Sequence, residues 1–272
     1  MTDREEIVSG TARRIEGRRQ ALNEAYPFAL DGDGDVLTYV GGEPSLAQAA
    51  YSLSLILSHL KAVSSVLVGS TVYPTEGEIR ELRMYFQYFA TAALAAEVNG
   101  RAWSFGFPRP DKTDFHTKLA EIWGVFRDGV LQAAVGVPDR PKDDQIDIFA
   151  ARLHRDGLPG FLLAAGQVAT GENWREKSLR THLQHVFPSR WFGQQPVTMM
   201  MCYHIIPFTR PDDEFVDDCR ILGNVLHRLR VPYRVAEAQG LHHQGLAIEA
   251  FDLLPEAVDW VKAYAKRGAT KS

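Results

Sequence analysis

QIDIFAARLHRDGLPGFLLAAGQVAT, residues 145–170, is the stretch that decides the fold of this chain. In IDIFAARL the apolar positions alternate, which predicts a strand with Ile146 and Ile148 on one face and Asp147 on the other. HRDGLP follows, and Asp156-Gly157 has the chemistry of a tight hairpin turn. GFLLAAGQVA then reads as the return strand, with Gln167 at its end. A hairpin of this kind brings Asp147 and Gln167 close despite their separation in sequence.

The pattern extends in both directions. Before the hairpin, Thr113 or Asp114 caps a helix in which Phe115, Leu119, Ile122, Val125 and Phe126 share a face. After it, Asn173 with Glu176 has the form of a capping pair. That pairing predicts a helix with Lys177 in its first turn, aimed back toward the strand end, and Trp174 on the same face. PVTMMMCYHIIPF at 196–208 has the continuous apolar character of a central strand. A helix bearing Phe215, Cys219, Leu222, Leu226 and Leu229 follows. PYRVAEA then reads as a short strand, and a helix from Pro255 to Lys266 ends the pattern.

The first hundred residues read as helices over 1–26, 46–60 and 76–98, with a turn at DGDGD (31–35) and a strand from Val36 to Val40. The helix over 76–98 buries Ile79, Leu82, Tyr85, Phe86, Phe89, Ala93 and Ala96, and Asn99-Gly100 stops it. RAWSFGFPRP at 101–110 reads as a proline-bounded connector and marks the organisational boundary. The expected division is a mainly helical region over 1–110 and an α/β domain over 111–272.

Composition narrows the function classes. A net charge of −4 over 272 residues excludes a generally basic nucleic-acid coat, so any DNA contact needs a local patch. Two such groups exist: Arg175, Lys177, Arg180, His182, His185 and Arg190, and then Arg220, His227, Arg228, Arg230 and Arg234. The bland reading is that they balance Asp212, Asp213, Glu214, Asp217 and Asp218. Cys202 and Cys219 sit among apolar neighbours and read as reduced and buried. The N-terminal stretch lacks an apolar signal segment and no run reaches a membrane span, so a cytoplasmic protein without a membrane partner is expected. DGDGD lacks the glutamate of a calcium loop, and His204, His242 and His243 lack a ligand spacing. No phosphate-binding glycine loop and no serine elbow is present.

One constellation carries chemistry. Metal-assisted phosphodiester cleavage needs oxygen ligands for a divalent cation and a lysine for the developing charge. Asp147 on one strand, Gln167 on the next and Lys177 just beyond supply those groups.

Helix, Asp-bearing strand, hairpin, Gln-bearing strand and helix in this order resemble the PD-(D/E)XK superfamily of restriction-endonuclease-like nucleases. Asp147 in IDIFA matches the family's first motif residue, and Gln167 matches the second in its glutamine variant. The residue two beyond Gln167 is Ala169 rather than lysine, so Lys177 stands as a relocated lysine. GQVATGENWREK has the look of a local signature of such variants, and Glu121 matches a further metal ligand that some members carry on the preceding helix. The resemblance covers roughly residues 113–230. It implies an α/β fold with a restriction-endonuclease-like mixed sheet flanked by helices, preceded here by a helical N-terminal extension. It further implies an Mg²⁺- or Mn²⁺-dependent DNA endonuclease, an effector subunit of a bacterial anti-phage defence or restriction system. A partner subunit (an ATPase or sensor) would gate it, and a homo-oligomer is compatible with that arrangement. The alternative is a catalytically silent DNA-binding or scaffold subunit of the same fold.

Overall fold

The computed structural model describes residues 3–32, 36–67 and 73–269. Its first part runs α1 (Asp3–Leu22), a ribbon of β1 (Phe28–Leu30) and β2 (Leu37–Tyr39), α2 (Leu46–Leu67) and α3 (Glu76–Val98). Of the DGDGD turn, residues 33–35 lie outside the described residues. α3 begins at a capping box: the Thr75 hydroxyl accepts from the Glu78 N–H, and the Glu78 carboxylate accepts from the Thr75 N–H. It stops at Asn99, whose φ of 48° is left-handed. A Cβ on the next residue, Gly100, would lie 2.2 Å from the Ala151 carbonyl oxygen, so glycine is needed where the chain enters the sheet.

That entry is β3 (Arg101–Ser104), followed by α4 (Phe115–Phe126), β4 (Val130–Leu131), β5 (Ile148–Arg152) and β6 (Leu162–Val168). A single 3₁₀ turn at Trp174–Glu176 and a π turn at His182–Val186 lead into α5 (Phe187–Trp191) and β7 (Phe192–Gln194). The chain closes with β8 (Met200–Ile205), α6 (Asp212–Leu222), β9 (Asn224–Leu226), α7 (Val231–His243) and α8 (Leu254–Ala269). Asp114 is the residue that caps α4, its carboxylate accepting from the Thr117 N–H at 3.0 Å.

The expected α/β architecture is present, with a mixed sheet in the order β3-β5-β6-β8-β9. β3, β5 and β6 run antiparallel, while β8 and β9 lie parallel to β6. One face carries Ala102, Ile148, Ala150, Ala164, Tyr203 and Ile205 against Phe86 and Phe89 of α3 and Val235 of α7. The other carries Trp103, Phe149, Ala151, Leu163 and Ala165 against Leu119, Ile122, Trp123 and Phe126 of α4. Edge-on aromatic contacts such as Trp123–Phe149, with centroids 5.3 Å apart, fill this second layer. Each buried aromatic stabilises the layer by about 1.5–3 kcal/mol.

Several expectations need correction. Residues 101–104 are not a connector but the edge strand, so the sheet and α3 tie residues before position 110 to those after it. PYRVAEA is helical: Pro232 suits the first turn of α7, and Val231, Val235 and Ala238 are buried at helical spacing. α6 ends at Gly223, which leaves Leu226 in β9 rather than on a helix face. The helix expected from Asn173 is one 3₁₀ turn without a side-chain cap, and Lys177 follows it in non-helical conformation. Helical structure resumes later, and there the Phe187 N–H bonds to the His182 carbonyl. This wider register accommodates Pro188, whose ring would clash with a carbonyl in a regular α-helix.

Candidate metal centre at the open end of the hairpin

The carboxyl ends of the parallel strands β6 and β8 lie at the same edge as the start of β5. Asp147 is the residue just before β5. Ile148 pairs with Gly166, yet the Asp147 N–H also donates to the Gly166 carbonyl at 2.9 Å. The Phe105 and Gly106 N–H groups both donate to the Asp147 carbonyl, at 2.7 and 2.8 Å. This doubling of partners is a bulge. It corrects the simple alternation: Ile146 packs in the α4 layer and Ile148 in the α3 layer, so they do not share a face.

The bulge frees the Asp147 carboxylate to turn back onto the hairpin. Its Oδ2 accepts from the Val168 N–H at 2.7 Å, directly after Gln167. Its Oδ1 lies against Gly106, where a Cβ would stand 2.4 Å from that oxygen and 2.8 Å from Gln87 Nε2. Burial raises the Asp147 carboxyl to about 7. The Val168 N–H opposes that rise, the Asp143 carboxylate adds to it, and the Lys177 ammonium opposes it.

Gln167 follows Leu163 and Ala165 onto the α4 side of the sheet. It is 7% exposed, and its Oε1 has no hydrogen-bond partner among the described residues. His204 on β8 stands directly beside it in the parallel register. That imidazole is fully buried, and neither ring nitrogen has a partner at normal hydrogen-bond distance. Burial lowers the ring to about 4; the nearby Trp174 backbone opposes the shift and the Lys177 charge reinforces it. Trp174 lies over this end, its ring centroid 6.0 Å from that of His204.

No family model, curated protein or solved structure matches this chain. The reading of the site therefore rests on its own geometry and on the motif resemblance.

Asp147 is bonded to the strand that carries Gln167, and the Lys177 charge lies near enough to act on Asp147 and His204 at this end of the sheet. Glu121 is placed elsewhere. Its carboxylate accepts from Lys118 Nζ at 2.9 Å and lies 3.8 Å from Arg101. With Asp111 and Glu249 it forms a group whose ligand oxygens all lie within 4.8 Å of one another. The buried Lys118 ammonium bonds to all three carboxylates, at 2.7 Å for Asp111, so it already supplies the countercharge a metal ion would bring. Glu249 also accepts from the Ser104 N–H at 2.7 Å, which fastens the later chain to the β3 edge.

The basic groups are largely engaged internally. Arg175 pairs with Asp218 and Glu214, and Arg190 with Asp144. Arg220 pairs with Asp217, and Arg234 with Glu97 and Glu237. His182 is buried beside Asp144, and Arg228 is 3% exposed. Both cysteines are free and half-buried, and among the described residues no helix is long and apolar enough to cross a membrane.

His204, set aside in the sequence for want of a ligand spacing, stands beside Gln167 in the structure. Its signal was a titratable side chain inside the apolar run PVTMMMCYHIIPF. That signal indicates burial, but only the β6–β8 register reveals its neighbour.

Proposed function

We propose that this chain is a divalent-metal-dependent DNA endonuclease of the PD-(D/E)XK kind. The observation that carries the reading is Asp147: its carboxylate is bonded at 2.7 Å to the strand bearing Gln167 and lies within the field of Lys177. The residues fit a cation. Asp147 keeps Oδ1 beside Gly106, a residue without a side chain, and the Gln167 Oε1 is a buried acceptor without a partner. Asp147 and Gln167 would hold Mg²⁺ or Mn²⁺, which supplies Lewis acidity and lowers the pKa of a bound water. Lys177 would balance the negative charge that builds on the phosphate during cleavage. Trp174 packs beside His204 at this end of the sheet. Service as the effector of an anti-phage or restriction system, gated by a partner subunit, extends this reading and is carried by the family resemblance.

The test is cleavage of supercoiled plasmid with Mg²⁺ or Mn²⁺. Nicking is expected from the wild type, and its loss with EDTA, in Asp147→Ala and in Lys177→Ala. Equal cleavage by both variants would overturn the assignment.

A second reading, a catalytically silent DNA-binding or scaffold subunit, is favoured by a specific observation. Arg175, Arg190 and Arg234 spend their charge on internal carboxylates, and the second ligand is an amide rather than a carboxylate. DNA binding without cleavage in either metal, with the partner subunit present, would select it.

A further inference from the structure

Arg228 follows β9 and is buried, yet its partners are neutral. Nη1 donates to the Ser58 hydroxyl of α2 at 2.5 Å and Nη2 to the Thr209 hydroxyl at 3.3 Å. Its Cζ lies 5.8 Å from the centroid of the Tyr51 ring. The Nε–H has no partner, and among the described residues no carboxylate pairs with this guanidinium. Arg109 is also buried, but Asp143, Asp111, Asp114 and Glu249 surround it. Burial lowers Arg228 to about 10, Tyr51 opposing the fall and the Arg18 charge adding to it, so the group stays charged at neutral pH. Buried charges are ordinarily paired, and a cation held by neutral groups alone leaves a demand for an anion.

We propose that Arg228 anchors a phosphate-binding site beyond the ends of β8 and β9, closed over in the free protein by Ser58 and Thr209. β8 and β9 run parallel, Thr209 follows the first and Arg228 the second, and the Arg228 N–H donates to the Phe208 carbonyl at 3.3 Å. Ligands of open α/β sheets gather at the carboxyl ends of parallel strands. Ser58 and Thr209 are half-buried, and His59 beside them is exposed, its Nδ1 2.9 Å from the Ser58 Oγ. The guanidinium therefore lies one layer of side chains below the surface, and rotation of two hydroxyl side chains opens it. Its fork takes two oxygens of an anion, a geometry that suits carboxylate and phosphate alike. Thr209 Oγ1 accepts from Arg228 and keeps its own proton to donate, which serves a third oxygen that a carboxylate lacks. The site is independent of the metal centre at Asp147.

The experiment is titration of the full-length protein in EDTA with inorganic phosphate, with acetate and with a short DNA duplex, followed by calorimetry and by the arginine Nε–H resonances in nuclear magnetic resonance. One Nε–H signal, missing in Arg228→Gln, should shift saturably with phosphate or with DNA and not with acetate. Arg228→Gln should weaken that binding by about 10-fold or more, and Thr209→Val by about 3- to 10-fold. The rim variant and the wild-type spectrum decide the matter where the arginine variant fails to fold. Saturation by inorganic phosphate that DNA does not displace assigns the site to a free phosphate group. DNA that shifts the same signal, with a salt dependence reduced by about one charge in Arg228→Gln, assigns it to the nucleic-acid backbone. No shift with either ligand, acetate bound as tightly as phosphate, or binding unchanged in both variants overturns the proposal. Because EDTA is present throughout, the result stands apart from plasmid cleavage.

Discussion

Replacing Asp147 with asparagine should stabilise the metal-free protein, and only as the pH rises. Burial lifts this carboxyl from its ordinary 3.8 to about 7, so the folded protein holds the proton more tightly than the unfolded chain does. The resulting stability is complete below pH 3.8 and is lost as pH climbs through 7. Each pH unit between those values costs about 1.4 kcal/mol, which sets a ceiling of about 4 kcal/mol at pH 8. Water reaching this partly open end lowers the expectation to about 2–3 kcal/mol. Asparagine keeps an oxygen for the Val168 N–H, so the 2.7 Å bond need not be lost. The assay is urea unfolding of both proteins at pH 4, 6 and 8 in EDTA. The variant should match wild type at pH 4 and exceed it by about 2–3 kcal/mol at pH 8. Excess Mn²⁺ should then stabilise wild type and not Asp147→Asn. A variant less stable than wild type at pH 8, or a difference that does not change with pH, would refute the reasoning.

Three further outcomes follow from other parts of the fold. Lys118→Met removes the ammonium shared by Asp111, Glu121 and Glu249, and chemical denaturation should show a loss of about 3 kcal/mol. Gly106→Ala puts a Cβ 2.4 Å from Asp147 Oδ1; calorimetry should show divalent binding lost, with about 1–3 kcal/mol of destabilisation in thermal unfolding. Burial, with Arg230 and Arg228 nearby, lowers His227 from 6.5 to about 4, so stability present above pH 6.5 is lost as pH falls toward 4. His227→Gln should flatten that acid limb by about 1.4 kcal/mol per pH unit, and an unchanged slope in acid unfolding would exclude this residue as its source.

The local elements were legible where one strong signal had no competitor. Asn99-Gly100 ends α3 where the sequence places its stop, because that signal is written in two adjacent residues. Asp156-Gly157 likewise announces the β5–β6 hairpin. Signals failed where two local rules competed. In PYRVAEA Tyr233 and Val235 suggest a strand, but Val231, Val235 and Ala238 find a buried helical face against α2 and α3. At Asn173 the capping pattern was present and the side-chain bond was not. At Asp147 simple alternation put Ile146 and Ile148 on one face, and the bulge sent them to opposite layers.

By itself the sequence determined which residue types are available for chemistry at the end of a hairpin, Asp147, Gln167 and Lys177, because turn residues and period-two patterns act over a few positions. Only the tertiary structure decided which of them meet, and with what. The parallel register that seats His204 beside Gln167 joins strands far apart in the chain, and no local pattern encodes it. The same holds for Glu121, whose carboxylate is claimed by Lys118 in a cluster completed by Glu249, more than a hundred residues away in sequence. Long-range pairing follows from burying apolar faces across the whole sheet, so the neighbours of a polar side chain are set by packing that its own segment does not contain.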